Sequence, residues 1–207
     1  MNIGPYSVED YMHLVKSFHG NIAPGIIIGG FMVDLAAKSL PGGILFDAVC
    51  ETSACLPDAV QLLTPCTIGN GCLKVVEFGR YALCLYDKYQ GHGIRVLVDT
   101  EKLEQWPEIK IWFLKLKPIK EQDSKILRDG IINAGPDILS VQHVKVKNML
   151  IGKTGNGAIA LCPECNEAYP IKDGSVCLSC QGNNLYCRYS HAQNDMPSLN
   201  IFKIVKS

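Results

Sequence analysis

The sequence predicts an α+β protein in which N-terminal helices pack on a mainly antiparallel sheet and a small zinc-binding domain follows. Helical patterns open the chain, strand-forming runs fill its middle, and strands and helices do not alternate regularly. Two Cys-x-x-Cys pairs near the C-terminus are typical of a metal-binding domain. The composition shifts at residues 152–155. We therefore expect a core domain at residues 1–153 and a four-cysteine domain with a C-terminal strand at residues 154–207.

Two helices are predicted at the start of the chain. Ser7 begins a capping-box pattern, and the apolar spacing that follows indicates a helix ending near His19. A second, more apolar helix is expected after Pro24 and should end at a Pro-Gly-Gly sequence. Gly29 and Gly30 lie inside this second pattern, which indicates that another part of the backbone approaches closely there.

The strand-forming runs predict an antiparallel meander. They occupy residues 45–50, 73–78, 81–86, 94–98 and 141–146. The Asn70-Gly71 pair is a hairpin turn signal directly before the second run. Helical patterns at residues 56–63 and 121–134 lie between the runs.

The balance of charge argues against nucleic acid or a membrane surface as a partner. The chain carries 20 Lys and Arg against 20 Asp and Glu, and no block of like charge stands out. Its first residues do not form a secretory signal, so we expect a cytoplasmic protein. The ten cysteines should then stay reduced and serve metal binding, chemistry or packing.

The strongest chemical signal is a set of four cysteines near the C-terminus. Cys162 and Cys165 form one Cys-x-x-Cys knuckle, and Cys177 and Cys180 form another after eleven residues. Two facing knuckles supply the tetrahedral thiolate cage that zinc prefers, and the ion should contribute much of the folding free energy of so small a domain. A redox dithiol or an iron–sulfur cluster is the alternative. Cys187 and His191 lie nearby but are surplus to the four ligands.

Two residues of the core are candidates for function. Cys55 precedes the helix at residues 56–63, where free N–H groups and the helix dipole would favour a thiolate. His19 ends the first helix and could bind a metal or act as an acid or base, although a surface histidine there is also common. Cys50 and Cys84 fall inside predicted strands and are expected to be buried packing residues.

These short motifs together resemble the FmdE family, which is named after formylmethanofuran dehydrogenase. The resemblance is carried by Phe18-His19-Gly20, Pro24-Gly25, Gly29, Cys55, Asp58-Ala-Val-Gln61, Cys66-Thr67-x-Gly69-x-Gly71 and Gly79-Arg80. It covers the core to about residue 98, and the cysteine knuckles are similar to the zinc-finger tail that some members carry.

The resemblance implies a treble-clef zinc finger, a homodimer, and a pocket near the histidine and cysteine motifs. In a treble clef the second knuckle runs into a helix, so one should follow Cys180. The family is associated with a molybdenum- or tungsten-pterin enzyme that interconverts carbon dioxide and a formyl group on methanofuran. Subunits of that enzyme are therefore the implied partners, and the redox centre is not assigned to this chain.

The chain departs from the family pattern at four positions. Asn21 and Ala23 stand where the family commonly has a histidine and a cysteine, and neither binds soft metals well. A second metal in the core, if it exists, would therefore have a reduced set of ligands drawn from His19, Cys55 and Cys66. Asn70 and Cys72 replace an expected lysine and asparagine, so the ligand of that loop is expected to differ.

The leading hypothesis is an FmdE-like accessory protein of one-carbon or molybdopterin-linked metabolism. Its pocket would bind a ligand or metal, and its finger would dock a partner. The pocket residues are His19, Cys55, Asp58, Gln61, Cys66 and Thr67. The alternatives are a non-catalytic interaction module with a decayed pocket and a stand-alone thiol enzyme that uses Cys55.

Overall fold

The structure is a computed structural model of the chain, and it describes residues 1–152, 155, 157–183 and 185–186. The chain divides into two compact units, Met1–Lys153 and Thr154–Ser207. The two units are described in turn.

The first unit begins with a two-strand hairpin, β1 (Asn2–Ile3) and β2 (Tyr6–Ser7), and two helices, α1 (Val8–His19) and α2 (Pro24–Ser39). The predicted cap of α1 is confirmed, since the Asp10 N–H donates to the Ser7 hydroxyl at 3.1 Å. α2 has Pro24 in its first turn and is buried over most of its length.

A five-stranded mixed sheet forms the centre of this unit. Its strands are β3 (Phe46–Cys50), β4 (Leu73–Val75), β5 (Ala82–Asp87), β6 (His92–Val98) and β7 (Leu139–Lys145). They lie in the order β4-β3-β5-β6-β7, and every pairing is antiparallel except that of β3 with β4. The fold class is thus α+β, as the sequence predicts.

The position of β4 corrects the predicted meander. The Asn70-Gly71 pair does not join two antiparallel strands, because β4 runs parallel to β3 and lies at the edge of the sheet. The connection from β3 to β4 passes through a helix, α3 (Leu56–Leu63), as parallel neighbours require. Gly71, at φ 73°, instead closes a turn in which its N–H donates to the carbonyl of Ile68.

Two further helices complete the first unit, α4 (Pro107–Phe113) and α5 (Ser124–Ala134). α5 starts three residues later than predicted, because Asp123 accepts hydrogen bonds from the N–H groups of the first turn. The sequence analysis did not predict α4, which has only seven residues and begins with a proline.

The glycine pair inside α2 marks close contacts, as predicted. A Cβ on Gly29 would lie 2.9 Å from the Cβ of Ala59 on α3. A Cβ on Gly30 would lie 2.7 Å from the ring of Tyr11 on α1. The absence of side chains at these two positions therefore allows α1, α2 and α3 to pack closely around the start of α2.

No single helix among the described residues is long and apolar enough to cross a membrane. Val8–His19 and Pro24–Ser39 reach the required length and composition only when taken together, and they are bent by 119° relative to each other.

The second unit contains a small antiparallel hairpin, β8 (Ile159–Leu161) and β9 (Ala168–Pro170). A short helical turn, Ser179–Asn183, follows the second knuckle, and Gly182 within it departs from helical geometry. The predicted helix after Cys180 is thus a single turn among the described residues. The predicted C-terminal strand lies outside them, as do Cys187 and His191.

Candidate functional sites

The four predicted zinc cysteines converge in the second unit. The sulfurs of Cys162, Cys165, Cys177 and Cys180 all lie within 4.8 Å of one another. In the first knuckle the Asn166 N–H donates to the Cys162 carbonyl at 2.8 Å, and a positive φ of 61° at Asn166 reverses the chain. Four clustered sulfurs fit the tetrahedral thiolate set of a structural zinc ion.

The local electrostatics also suit a cation. The Cys177 N–H donates to the Cys162 sulfur at 3.4 Å, and this bond is the main cause that lowers the pKa of Cys162 to about 6. Hydrogen bonding with the Cys177 sulfur raises the pKa of Cys180. The cluster therefore holds one sulfur that ionises readily next to others that cannot all ionise without a neutralising charge.

The first unit brings three polar side chains from two helices into a row. His19, at the end of α1, places Nδ1 2.6 Å from Oδ2 of Asp58 in α3. Its Nε2 lies 3.9 Å from the sulfur of Cys55. Because a carboxylate only accepts hydrogen bonds, Nδ1 donates its proton to Asp58 and Nε2 is left as an acceptor facing the thiol.

The backbone at Cys55 is strained. Cys55 has φ 58° and ψ −40°, a left-handed conformation that is rare for any residue but glycine. The Leu56 N–H donates to the Ala54 carbonyl at 2.6 Å, so Cys55 is the central residue of a γ-turn. Backbone strain of this kind is concentrated at functional sites, where the surrounding structure maintains it. Here it sets the direction of the Cys55 side chain at the start of α3.

The Cys55 sulfur lies among donors from other parts of the fold. A Cβ on Gly25 would be 3.0 Å from this sulfur and 2.7 Å from the Tyr81 hydroxyl, so only glycine leaves room for both. Hydrogen bonds from the Ile26 N–H and from Tyr81 lower the pKa of Cys55. Among the described residues, no nitrogen or oxygen atom pairs with the buried Tyr81 hydroxyl.

The net effect on the Cys55 thiol opposes the sequence-based expectation. Burial first, and the charge of Asp58 second, raise the pKa of Cys55 above its ordinary value. The helix end therefore does not hold a thiolate at rest. The reason is that the first N–H of α3 is used in the γ-turn, while the sulfur is removed from solvent.

A cleft of about 900 Å³ opens beside Cys55. Aromatic residues form one side of it, and the Tyr81 and Phe113 rings meet edge-on at 6.0 Å between centroids. Its other lining residues include Lys115 and Lys117, and no acidic side chain from the described part of the chain contributes to the lining. Trp112, Phe113 and the lysines come from α4 and the segment after it, which the sequence analysis did not connect with the site.

Gln61 joins the site indirectly, and two predicted pocket residues lie elsewhere. Gln61 donates to Asp58 Oδ1 at 3.4 Å and accepts from the Ile68 N–H. Cys66 lies beyond the opposite end of α3, buried, with its sulfur 3.5 Å from the Phe46 carbonyl. Thr67 pairs with Asn70 within the following turn. Cys66 and Thr67 are therefore not brought to Cys55.

The remaining cysteines of the first unit serve packing rather than the site. Cys50 and Cys84 are buried, as predicted, and burial raises the pKa of each to about 12. Cys72 is half-buried, with its sulfur 3.9 Å from the Asn70 carbonyl.

The donor set near Cys55 is small for a metal ion. His19 Nε2 and the Cys55 sulfur are the two donors that the described residues make available, because Asp58 is bound to the opposite nitrogen of the imidazole. Asn21 is exposed, and Ala23 offers no side-chain donor. Among the described residues, the zinc cysteines are the one group of three or more ligands close enough to hold an ion.

Comparison with known proteins identifies relatives of both units. The pattern of the FmdE family, described as "FmdE, Molybdenum formylmethanofuran dehydrogenase operon", matches residues 18–147. The FmdE treble clef zinc finger matches residues 153–187.

A solved structure has a similar sequence and fold. It is the crystal structure of an FmdE-like protein of tungsten formylmethanofuran dehydrogenase from Syntrophus aciditrophicus, 56% identical to this chain. The match covers 90% of this chain and 98% of that one, with a TM-score of 0.82.

A curated relative from Archaeoglobus fulgidus is described as a probable S-adenosyl-L-methionine-binding protein. It is 29% identical over 191 residues, which cover 81% of this chain and 51% of the relative. The chain thus spans about half the length of that relative.

Proposed function

Since the chain belongs to the FmdE family, we propose that it is an FmdE-like accessory protein of one-carbon metabolism. Its core cleft binds a small organic ligand beside Cys55 and His19, and its second unit is held together by structural zinc. The observation that carries the proposal is the convergence of His19, Cys55 and Asp58 at the cleft. Strained backbone at Cys55 and an apolar cavity of ligand size support a binding site there.

An organic ligand is a better occupant of the cleft than the second metal ion that the family resemblance suggests. A catalytic zinc site ordinarily has three protein ligands, and the described residues of the cleft supply two. The aromatic and aliphatic lining, by contrast, is suited to a ligand with an extended apolar surface.

The zinc-containing unit is proposed to dock a partner, with subunits of a molybdenum or tungsten enzyme as the candidate class. Support comes from large apolar side chains that are exposed around the zinc cluster. They are Ile159, Leu161, Ile171 and Leu178, each at least half exposed. The proposed assembly also includes a homodimer of the chain, as the family resemblance implies.

The ligand can be sought with the protein itself. Zinc-loaded wild-type protein would be incubated with the small-molecule fraction of a cell extract, washed and denatured, and the released compounds identified by mass spectrometry. We expect a compound that wild type and Cys72→Ala retain and that His19→Ala and Cys55→Ala lose. The Cys72 variant is the matched control, because it removes a half-buried thiol that lies outside the cleft.

Two defined probes extend this experiment. S-adenosylmethionine tests the ligand class named for the Archaeoglobus relative, with Trp112 fluorescence as the readout because this ring lines the cleft. Cobalt(II) added to zinc-loaded protein tests for a metal at His19 and Cys55. If wild type retains no compound beyond those held by the His19→Ala and Cys55→Ala variants, the cleft is a decayed pocket and the interaction-module alternative is favoured.

A further inference from the structure

The row Asp58, His19 and Cys55 has the connectivity of a nucleophile activated by a base and a positioning group. His19 Nε2 faces the thiol at 3.9 Å, and Nδ1 is held by Asp58 at 2.6 Å. In this tautomer the imidazole can take the thiol proton, and the charge that then forms on it lies next to a carboxylate. The Tyr81 hydroxyl adds a second feature, because it is buried beside the reactive atom without a nitrogen or oxygen partner among the described residues.

We propose that Cys55 accepts an acyl group from an ester or thioester bound in the cleft, with His19 as base and Asp58 as its positioning residue. This goes beyond ligand binding, but it depends on the proposed function for the cleft as the site of the acyl donor.

The steps balance without a cofactor. The Cys55 sulfur attacks the carbonyl carbon as its proton passes to His19 Nε2, and a carbon–sulfur bond forms. The bond from carbon to the leaving oxygen or sulfur then breaks, and His19 returns the proton to that group. Water, activated by the same imidazole, hydrolyses the new thioester, which releases a carboxylic acid and restores the thiol.

Two groups are placed to stabilise negative charge at the reacting atoms. The Tyr81 hydroxyl and the Ile26 N–H both direct hydrogen bonds to the Cys55 sulfur. Ile26 lies in the first turn of the sixteen-residue α2, whose N-terminal dipole favours an anion. Since Tyr81 has no nitrogen or oxygen partner among the described residues, its hydroxyl is free to donate to the oxyanion of a tetrahedral intermediate.

The lining of the cleft indicates the class of acyl donor. Trp112, Phe113 and Leu116 supply apolar surface, and Lys115 and Lys117 are the charged lining residues within the described part of the chain. A donor with an apolar body and an anionic group matches both features.

The test uses p-nitrophenyl acetate as the probe, on zinc-loaded full-length protein. Wild type should release p-nitrophenolate in a burst of about one equivalent and carry one acetyl group at Cys55, found by peptide mass spectrometry. Cys55→Ser should lose both signals, and Cys72→Ser should keep them. Equal acetylation of Cys55 and Cys72 in wild type would overturn the proposal, because it would show ordinary thiol reactivity.

The Asp58→Asn variant distinguishes positioning from simple electrostatics. The charge of Asp58 raises the pKa of Cys55, so its loss alone would speed the reaction of the thiol. Loss of its hydrogen bond to His19 removes the orientation of the base, and general-base assistance contributes about 10²–10⁴-fold. We expect acetylation to slow at least about tenfold. A faster reaction in Asp58→Asn would overturn the role of His19 as base.

The Tyr81→Phe variant tests the oxyanion donor. The ring can keep its edge-on contact with Phe113 after the hydroxyl is removed, so the fold should persist. Loss of one such donor costs about 10²–10³-fold in rate, and unchanged acetylation would exclude Tyr81 from this role. If acetylation fails in wild type while the small-molecule experiment finds a retained compound, acyl transfer is refuted and ligand binding by the cleft stands alone.

Discussion

His19 and Asp58 are joined by a 2.6 Å hydrogen bond although they are thirty-nine residues apart in the sequence. This contact links the end of α1 to the first turn of α3 and leaves the other imidazole nitrogen facing Cys55. The relationship connects the chemistry of the cleft with the packing of the two helices, and both can be tested separately.

Alkylation of Cys55 should require a higher pH than alkylation of an ordinary thiol. Burial and the charge of Asp58 raise its pKa, so the rate with iodoacetamide should reach half its maximum above pH of about 8.5. The midpoint should move to lower pH in Asp58→Asn, since that charge is removed. The ionisable groups that face the sulfur are His19, Tyr11, Asp58 and Tyr81.

The measurement is the pH dependence of the rate, followed for the Cys55 peptide by mass spectrometry. A midpoint in wild type that lies below that of a free cysteine would contradict the burial of the sulfur.

Removal of zinc should unfold the second unit and leave the first intact. Structural zinc contributes about 10–16 kcal/mol of apparent binding free energy in small zinc domains, which have little apolar core of their own. After treatment with a chelator, limited proteolysis should cut within residues 157–183 and spare the first unit. Cys162→Ser should show the same pattern without a chelator, and Cys72→Ser should resist cleavage. Unchanged protection after complete loss of zinc would rule out a structural ion.

Gly29→Ala should destabilise the first unit by about 1–3 kcal/mol, the usual cost of overpacking a core. The added methyl would lie 2.9 Å from the Cβ of Ala59, and neither helix can move without disturbing its other contacts. Urea unfolding measures the change. Gly42→Ala is the control and should change stability by less than about 0.5 kcal/mol, because no atom of the described residues lies within 4 Å of its added Cβ. Equal stability of the two variants would refute the close packing of α2 on α3.

Glu51→Gln should lower stability and remove part of its dependence on acid. Glu51 accepts two hydrogen bonds from Arg95, at 2.6 and 2.9 Å, and these bonds lower the pKa of Glu51. Loss of the carboxylate leaves the mostly buried Arg95 guanidinium without its ion pair, at a cost of about 1–3 kcal/mol.

The sign of the pH effect follows from the lowered pKa. The contribution of Glu51 is complete above the unfolded value of about 4.3 and is lost as pH falls through the lower folded pKa. Urea midpoints measured from neutral to acid pH should therefore fall more steeply in wild type than in Glu51→Gln. Glu104→Gln removes an exposed ion pair and should change little. Parallel curves for wild type and Glu51→Gln would contradict the assignment.

Several parts of the site could be predicted because their signals are local. The position of Cys55 at the start of α3 follows from the Leu56-Pro57-Asp58 sequence that opens the helix. The zinc cysteines follow from two knuckles, each of which closes within four residues. His19 was identified by its position at the end of α1.

Other parts depended on distant contacts and were missed. Tyr81 approaches Cys55 only because the strands of the sheet carry it under the start of α2. Trp112 reaches the cleft through α4, a helix too short to show a clear apolar period. Cys66 shared a motif with the site residues, but it lies beyond the other end of α3.

Local signals in the amino-acid order were sufficient to predict the α+β class, most helix ends and the four cysteines that meet. These features depend on caps, apolar spacing and chelate turns, all of which act over a few residues. The folded chain was needed to establish that β4 lies parallel to β3 and that Asp58 orients His19 toward Cys55. It was also needed to establish that burial keeps the Cys55 thiol protonated at rest. Such features depend on which surfaces pack together and on how much water that packing excludes, and no short stretch of residues encodes either.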